Sequence, residues 1–136
     1  MSKLVTFVIP ACNEQANVPV IAAAIKNTMA QLFYDYRILF VDDGSTDHTL
    51  SVLKAEAEKN SHIQFISLSR NFGHQNALKA GLDFADGDCV IMMDADLQHP
   101  PDLIPVLLQK WEEGTDIVYT IRKEQAELSL LKRKTL

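Results

Sequence analysis

Two carboxylates, Asp94 and Asp96, directly follow the short apolar run Val90–Met93. Gly87 precedes this run and a pair of prolines closes the segment, which is typical of a buried parallel strand. Because residues i and i+2 of an extended chain point to the same side, the two carboxylates can converge on one point. Paired carboxylates repel unless a cation lies between them, and oxygen donors suit Mg²⁺ or Mn²⁺, which also bind substrate phosphates. The alternative is an acidic turn without a ligand, since D-x-D alone is a weak signal.

Two further polar clusters also follow predicted strands. Asn13-Glu14 comes after the run Leu4–Ile9, and Asp42-Asp43 comes after Tyr36–Val41. Ligands of open α/β sheets bind beyond the carboxyl ends of the strands, so all three clusters are expected at one edge of the sheet. Each has a structural alternative, because Asn13 can be the N-cap of the next helix and Asp42-Asp43 can begin a capping turn.

Hydrophobic periodicity predicts strands and helices in alternation. The predicted strands are Leu4–Ile9, Tyr36–Val41, His62–Leu68, Val90–Met93 and Asp116–Thr120. The residues that indicate the helices are Val18, Ile21, Ala22, Ile25, Met29 and Leu32 at helical spacing, then Leu50, Leu53 and Ala57 facing inward, then Ala77, Leu78, Ala80, Gly81 and Leu82, and finally the inner stripe Ile104, Leu107, Leu108 and Trp111. This pattern predicts an α/β fold with a doubly wound, mainly parallel sheet, helices on both faces and right-handed crossovers.

The composition limits the classes of protein to consider. A chain of 136 residues can form one domain with a real core, and its net charge of −5 argues against a nucleic-acid binder. No apolar run approaches the length of a membrane span. Cys12 and Cys89 have no metal-ligand spacing, so they suggest thiols in a reducing compartment.

The basic residues concentrate at the end of the chain. Residues 122–136 contain five lysines and arginines against two glutamates. We therefore expect one domain over residues 1–121 and a basic amphipathic tail over residues 122–136, cut from a longer protein and lying at a membrane surface as interfacial helices do.

Several common active-site motifs are absent from the sequence. It has no G-x-G-x-x-G, no G-x-x-x-x-G-K-[ST] and no G-x-S-x-G. What remains is a metal-assisted reaction on a phosphorylated substrate. One carboxylate cluster would hold the metal, and the cluster after the second strand would accept hydrogen bonds from a base or a ribose.

Three segments together resemble the signatures of family 2 glycosyltransferases with the GT-A fold: Val8–Glu14, Val41–Asp47 and Met93–Gln98. Ser69–Ala77 and Asp94–Pro101 are similar to the branch that glycosylates polyprenyl phosphates, such as dolichyl-phosphate mannose synthase and the bacterial undecaprenyl-phosphate glucosyltransferases. Four motifs in the right order are more specific than any one of them.

The resemblance implies roles for the matching residues. The implied residues of the nucleotide-sugar site are Pro10, Ala11, Asn13, Glu14, Asp42, Asp43, Asp94 and Ala95. Asp96, with Asp94 and Gln98, would bind Mg²⁺ or Mn²⁺. Asp94, Asp96 and Arg122 would form the catalytic group, in which Arg122 contacts phosphate; Arg133 is a second candidate for that contact. His74 and His99 are expected to be polar loop residues, because these metals prefer oxygen.

The resemblance also implies the reaction, an inverting transfer of a sugar from a nucleoside diphosphate, uridine being favoured over guanosine, to a polyprenyl phosphate at the cytoplasmic face of a membrane. A transferase with a polysaccharide or protein acceptor and a non-catalytic nucleotide-sugar binding module remain as alternatives. A phosphoacceptor signalling domain would need an acidic pair after the first strand and a lysine after the fifth, and the chain has neither.

Overall fold

The computed structural model describes residues 2–96 and 101–115, together with the backbone of residues 117–122 and 128–134. The chain divides into two compact units, Met1–His99 and Pro100–Leu136. The elements of the first unit are β1 (Leu4–Ala11), α1 (Asn17–Met29), β2 (Asp35–Asp42), α2 (Thr49–Lys59), β3 (Ile63–Ser67), α3 (His74–Phe84) and β4 (Cys89–Met92).

The four strands of the first unit form one parallel sheet in the order β3-β2-β1-β4. The first two crossovers run in one direction along the sheet and the third runs back past β1. Right-handed crossovers therefore place α1 and α2 on one face and α3 on the other. In agreement, α1 contacts α2, whereas α3 lies across β1 and β2. This arrangement confirms the predicted doubly wound α/β class.

The central strand β1 is buried on both faces, with Val5, Phe7, Val8 and Ile9 fully inaccessible to solvent. We expected Pro10 to end this strand, but β1 continues to Ala11 and Pro10 pairs with Val41 of β2. The carbonyl of Val8 accepts the N–H of Met93, so even-numbered residues of β1 point their backbone groups toward β4. Pairing with β4 stops at Val8, so the backbone of Pro10 faces no partner strand on that side. The N–H that Pro10 lacks is therefore not needed for the sheet.

The helices pack mainly through residues that the periodicity predicts, although Leu82 of α3 is 41% exposed. Val18, Ile21, Ala22, Ile25 and Met29 of α1 are buried, as are Leu53 of α2 and Ala77 of α3. Gly81 allows α3 to approach the sheet closely, because an added Cβ would overlap the side chain of Val8 and lie 3.0 Å from Cγ2 of Val41.

The second unit begins with a 3₁₀ turn at Pro101–Leu103, followed by α4 (Ile104–Glu112). Ile104 and Leu108 are buried, and Gly114, with φ of +100°, follows the end of the helix. β5 (Ile117–Arg122) pairs with β6 (Leu128–Lys134) in an antiparallel two-stranded sheet.

One expectation about this second unit was wrong. The fifth strand belongs to this separate sheet and not to the parallel one, because hydrophobic periodicity identifies a strand but not its partner. Residues 128–134, which belong to the expected basic amphipathic tail, are extended. The two units divide between residues 99 and 100, so the boundary that we expected after residue 121 falls inside β5. Within the described residues, none of the helices has the length and apolar character required to span a bilayer.

Candidate active site

A cavity of about 420 Å³ opens at the carboxyl edge of the parallel sheet. Its walls come from the ends of β1, β2 and β4 and from the segment that enters α3. The lining residues are Pro10, Ala11, Cys12, Glu14, Asp43, Asn71, His74, Asp94, Ala95 and Asp96. All of them belong to the first unit, and all three predicted clusters contribute to the walls.

The acidic pair lies just beyond β4, which ends at Met92. Asp94, Ala95 and Asp96 all line the cavity, whereas Met93 is buried at 4% exposure. Both carboxylates therefore lie in the cavity wall as expected, although Ala95 and Asp96 form a turn and not the extended chain on which that expectation was based. Nε2 of His74 lies 3.6 Å from Oδ1 of Asp94, so a histidine that we expected to be only a loop residue adjoins the acidic pair.

Asp42 and Asp43 have different surroundings although both are 3% exposed. Asp43 lines the cavity, and its Oδ1 accepts the N–H of Phe72 at 2.8 Å. Oδ1 of Asp42 accepts the N–H of Ser45 at 3.2 Å, which closes the turn after β2. Asp42 does not line the cavity. Asp43 therefore has the position that the predicted ligand role requires, whereas Asp42 forms the capping turn that was the structural alternative.

Asn13 does not cap α1, so the structural alternative for this residue is wrong. That helix begins at Asn17, four residues later, without a side-chain cap. Oδ1 of Asn13 instead accepts the backbone N–H groups of Thr46 at 2.8 Å and Asp47 at 3.2 Å. Its side chain thus contacts the loop after β2, and Asn13 is absent from the lining of the cavity.

Glu14 lines the cavity as predicted, and its backbone is held from two directions. Its N–H donates to Oγ1 of Thr49 at 2.9 Å, and its carbonyl accepts the N–H groups of Asn17 and Val18 at the start of α1. Oγ1 of Thr49 in turn donates to Oδ1 of Asp47 at 2.5 Å. This bond is the main reason why the pKa of Asp47 is lowered, with the Thr49 N–H contributing less.

The segment between β3 and α3 completes the cavity. Nδ2 of Asn71 donates to Sγ of Cys12 at 3.2 Å, and a Cβ on Gly44 would overlap the backbone of Arg70 and Asn71. Cys12, Asn71 and His74 were not predicted as site residues. The similarity of Ser69–Ala77 to a family motif was the one signal that could have indicated the last two.

Some predicted site residues lie outside the described part of the chain. Gln98 is one, and the side chains of Arg122 and Arg133 are others, although their backbones belong to β5 and β6. The described residues contain no group of three or more His, Cys, Asp or Glu side chains that could hold a metal ion. Any metal site here would therefore rest on Asp94 and Asp96 together with groups from elsewhere.

Comparison with known proteins identifies the family of this chain. Residues 6–135 match the family described as Glycosyl transferase family 2. The chain belongs to this glycosyltransferase family.

Curated relatives are similar over nearly the whole chain. The bactoprenol glucosyl transferase of Shigella phage SfV is 40% identical over 131 residues, which are 96% of this chain and 43% of the relative. The undecaprenyl-phosphate 4-deoxy-4-formamido-L-arabinose transferase of Enterobacter sp. (strain 638) is 42% identical over 130 residues, which are 95% of this chain and 40% of the relative. The chain thus spans about two fifths of the length of these glycosyltransferase relatives.

A solved structure shows the same fold. The mannosyltransferase PcManGT from Pyrobaculum calidifontis, in complex with GDP-Man and Mn²⁺, superimposes with a TM-score of 0.71 at 21% identity. The match covers 92% of this chain and 37% of that protein. The parallel sheet with its carboxyl-edge cavity is therefore a glycosyltransferase fold.

Proposed function

We propose that this chain forms the donor-binding part of an inverting, metal-dependent glycosyltransferase that moves a sugar from a nucleoside diphosphate to a polyprenyl phosphate at a membrane surface. The observation that carries the proposal is the cavity at the carboxyl edge, where Asp43 faces the same space as Asp94 and Asp96. The bactoprenol and undecaprenyl-phosphate relatives support a polyprenyl phosphate as the acceptor.

The buried Asp43 is suited to recognise the nucleoside. One of its oxygens is held by the N–H of Phe72, and the residue contributes to the cavity wall. A fixed carboxylate can accept hydrogen bonds from the N–H groups of a base at little cost in lost freedom. Pro10 and Ala11 offer apolar surface beside it. We favour a uridine over a guanosine nucleotide, which stays a prediction.

The acidic pair fits a divalent metal bound mainly through the substrate. Mg²⁺ in phosphate-processing sites is usually held by one or two carboxylates and by the substrate phosphates, so Asp94 and Asp96 suffice as the protein's share. Gln98 is a further candidate ligand from the sequence. When bound, Mg²⁺ or Mn²⁺ would stabilise the negative charge on the departing diphosphate, and Arg122 would add a positive charge there.

The proposed acceptor requires little help from a base. The second pKa of a phosphate monoester is about 6, so a polyprenyl phosphate is already an anion at neutral pH. The chain's residues then have to hold the donor with its anomeric carbon open to that anion, and positioning dominates the barrier.

The test is calorimetry of nucleotide binding with and without Mn²⁺. We expect the chain to bind UDP only when Mn²⁺ is present and Asp96→Asn to lose this binding. Asp96 is exposed, so the substitution should change the free energy of unfolding by less than about 0.5 kcal/mol. Glu58→Gln, on the exposed side of α2, removes the same charge outside the cavity and serves as the control. Unchanged affinity of Asp96→Asn would remove the metal site from the proposal.

A further inference from the structure

The carboxamide of Asn13 organises a neighbouring loop. Oδ1 accepts the N–H of Thr46 at 2.8 Å, the N–H of Asp47 at 3.2 Å and Oγ1 of Thr46 at 3.3 Å. The N–H of Asn13 donates to Oγ of Ser45 at 2.9 Å. One residue of the loop after β1 thus contacts three consecutive residues of the loop after β2.

The conformation of Asn13 suits this contact. It is the one non-glycine residue with positive φ, +57°, in the described part of the chain. Asparagine tolerates this left-handed region better than most residues, and its amide oxygen has two lone pairs for acceptor contacts. Both properties are used here, the first by the backbone and the second by the side chain.

The same loops are tied together around the cavity. Asp43, at the base of the second loop, accepts the N–H of Phe72 in the third loop, and Asn71 of the third loop donates to Cys12 in the first. Each loop therefore contacts the other two. Cys12, Asp43 and Asn71 line the cavity, whereas Asn13 is not among its lining residues.

We infer that Asn13 is a positioning residue, which holds the loop after β2 in its binding conformation and does not contact the donor. The inference rests on the proposed function, because it assigns the order of this loop to nucleotide binding. If loss of the contact leaves the loop ordered for only about a tenth of the time, the apparent affinity falls about tenfold.

Two substitutions separate positioning from direct contact. Asn13→Asp keeps an acceptor oxygen and the tolerance for positive φ, whereas Asn13→Gly keeps the backbone freedom and removes the acceptor. If the amide N–H groups of Asn13 contacted the nucleotide sugar directly, both variants would lose that contact. The charge added by Asn13→Asp would in that case also repel the diphosphate. A positioning role survives in Asn13→Asp.

The experiment combines calorimetry of UDP binding in Mn²⁺ with hydrogen exchange at the amides of Thr46 and Asp47. We expect Asn13→Gly to bind UDP about tenfold more weakly and to exchange faster at both amides, and Asn13→Asp to stay within about threefold in affinity. Slow exchange at Phe7 and Val8 in all proteins would show that the sheet is intact.

Either of two outcomes would overturn the inference. One is wild-type affinity and exchange in Asn13→Gly. The other is equal loss of affinity in both variants with slow exchange at Thr46 and Asp47, which would mean a direct contact. If the unsubstituted chain does not bind UDP with Mn²⁺, the proposed function fails instead, and the exchange rates still decide whether Asn13 orders the loop.

Discussion

The hydroxyl of Thr49 contacts two loops at once. It donates to the carboxylate of Asp47 and accepts the N–H of Glu14, although they precede two different helices. Thr49 is fully buried, so neither contact can be replaced readily by water. At the residue scale, the polar groups beyond the strands are thus satisfied mainly by one another, which leaves a few of them directed into the cavity.

Thr49→Val should raise the pKa of Asp47 toward its usual value, because the largest cause of the lowering is the Thr49 hydroxyl. A depressed pKa in the folded state stabilises the protein above the unfolded-state pKa, and this contribution is lost as pH falls through the folded-state value. Titration of the carboxyl carbon of Asp47 by NMR measures the change, and an unmoved pKa would contradict it.

The same substitution should also lower the free energy of unfolding at neutral pH. It leaves the N–H of Glu14 without its present partner, which typically costs about 1–3 kcal/mol for a buried group. Ser51→Ala removes an exposed hydroxyl from the same helix and should have little effect. Urea unfolding of both variants provides the comparison.

At the scale of elements, strands and helices were largely predictable because their hydrophobic periods are strong. All four strands of the parallel sheet end within two residues of the predicted bounds, and four helices lie between and after them as predicted, although Leu32 falls beyond the end of α1. The strand partners of β5 were not predictable, since pairing depends on geometry that no local pattern encodes. The contacts of Asn13 were missed for a similar reason, because its partners lie more than thirty residues away.

Gly81→Ala tests how closely α3 packs on the sheet. The added methyl overlaps the side chain of Val8, so the substitution should lower the free energy of unfolding by about 1–3 kcal/mol. This loss would exceed the gain in helix propensity, which is at most about 1 kcal/mol. Adding Val8→Ala makes room for the methyl, so the double variant should lose less stability than the sum of the single changes. Strict additivity in thermal unfolding would contradict this explanation.

At the scale of the whole molecule, the basic end of the chain should attract anionic membranes. Each lysine or arginine near such a surface contributes about 1 kcal/mol, so neutralising Lys132, Arg133 and Lys134 to glutamine should greatly reduce co-sedimentation with anionic liposomes. The matched control neutralises Lys26, Lys54 and Lys59, which are exposed on α1 and α2. Equal binding by both triple variants would argue against a membrane role for this end.

The chain should bind a donor more readily than it turns it over. It spans 40–43% of the length of the two relatives described above, whereas the cavity proposed to bind the donor is lined by residues between 10 and 96. Binding requires only the cavity, but orientation of both reactants can contribute up to about 7–11 kcal/mol to rate. We expect this chain to transfer sugar to a short-chain polyprenyl phosphate much more slowly than the Shigella phage SfV relative does under the same conditions. Similar rates would show that this chain already holds the acceptor correctly.

The order β3-β2-β1-β4 has a consequence for biosynthesis. β1 is made first and β4 last among these strands, yet they are neighbours, with Val5 opposite Cys89. Chains grow from the N-terminus, so β1, β2 and β3 leave the ribosome while the fourth strand and the acidic pair are still being added. One edge of β1 stays open during that interval. The nucleotide binding proposed above would therefore stabilise the nascent protein only after Asp96 has emerged.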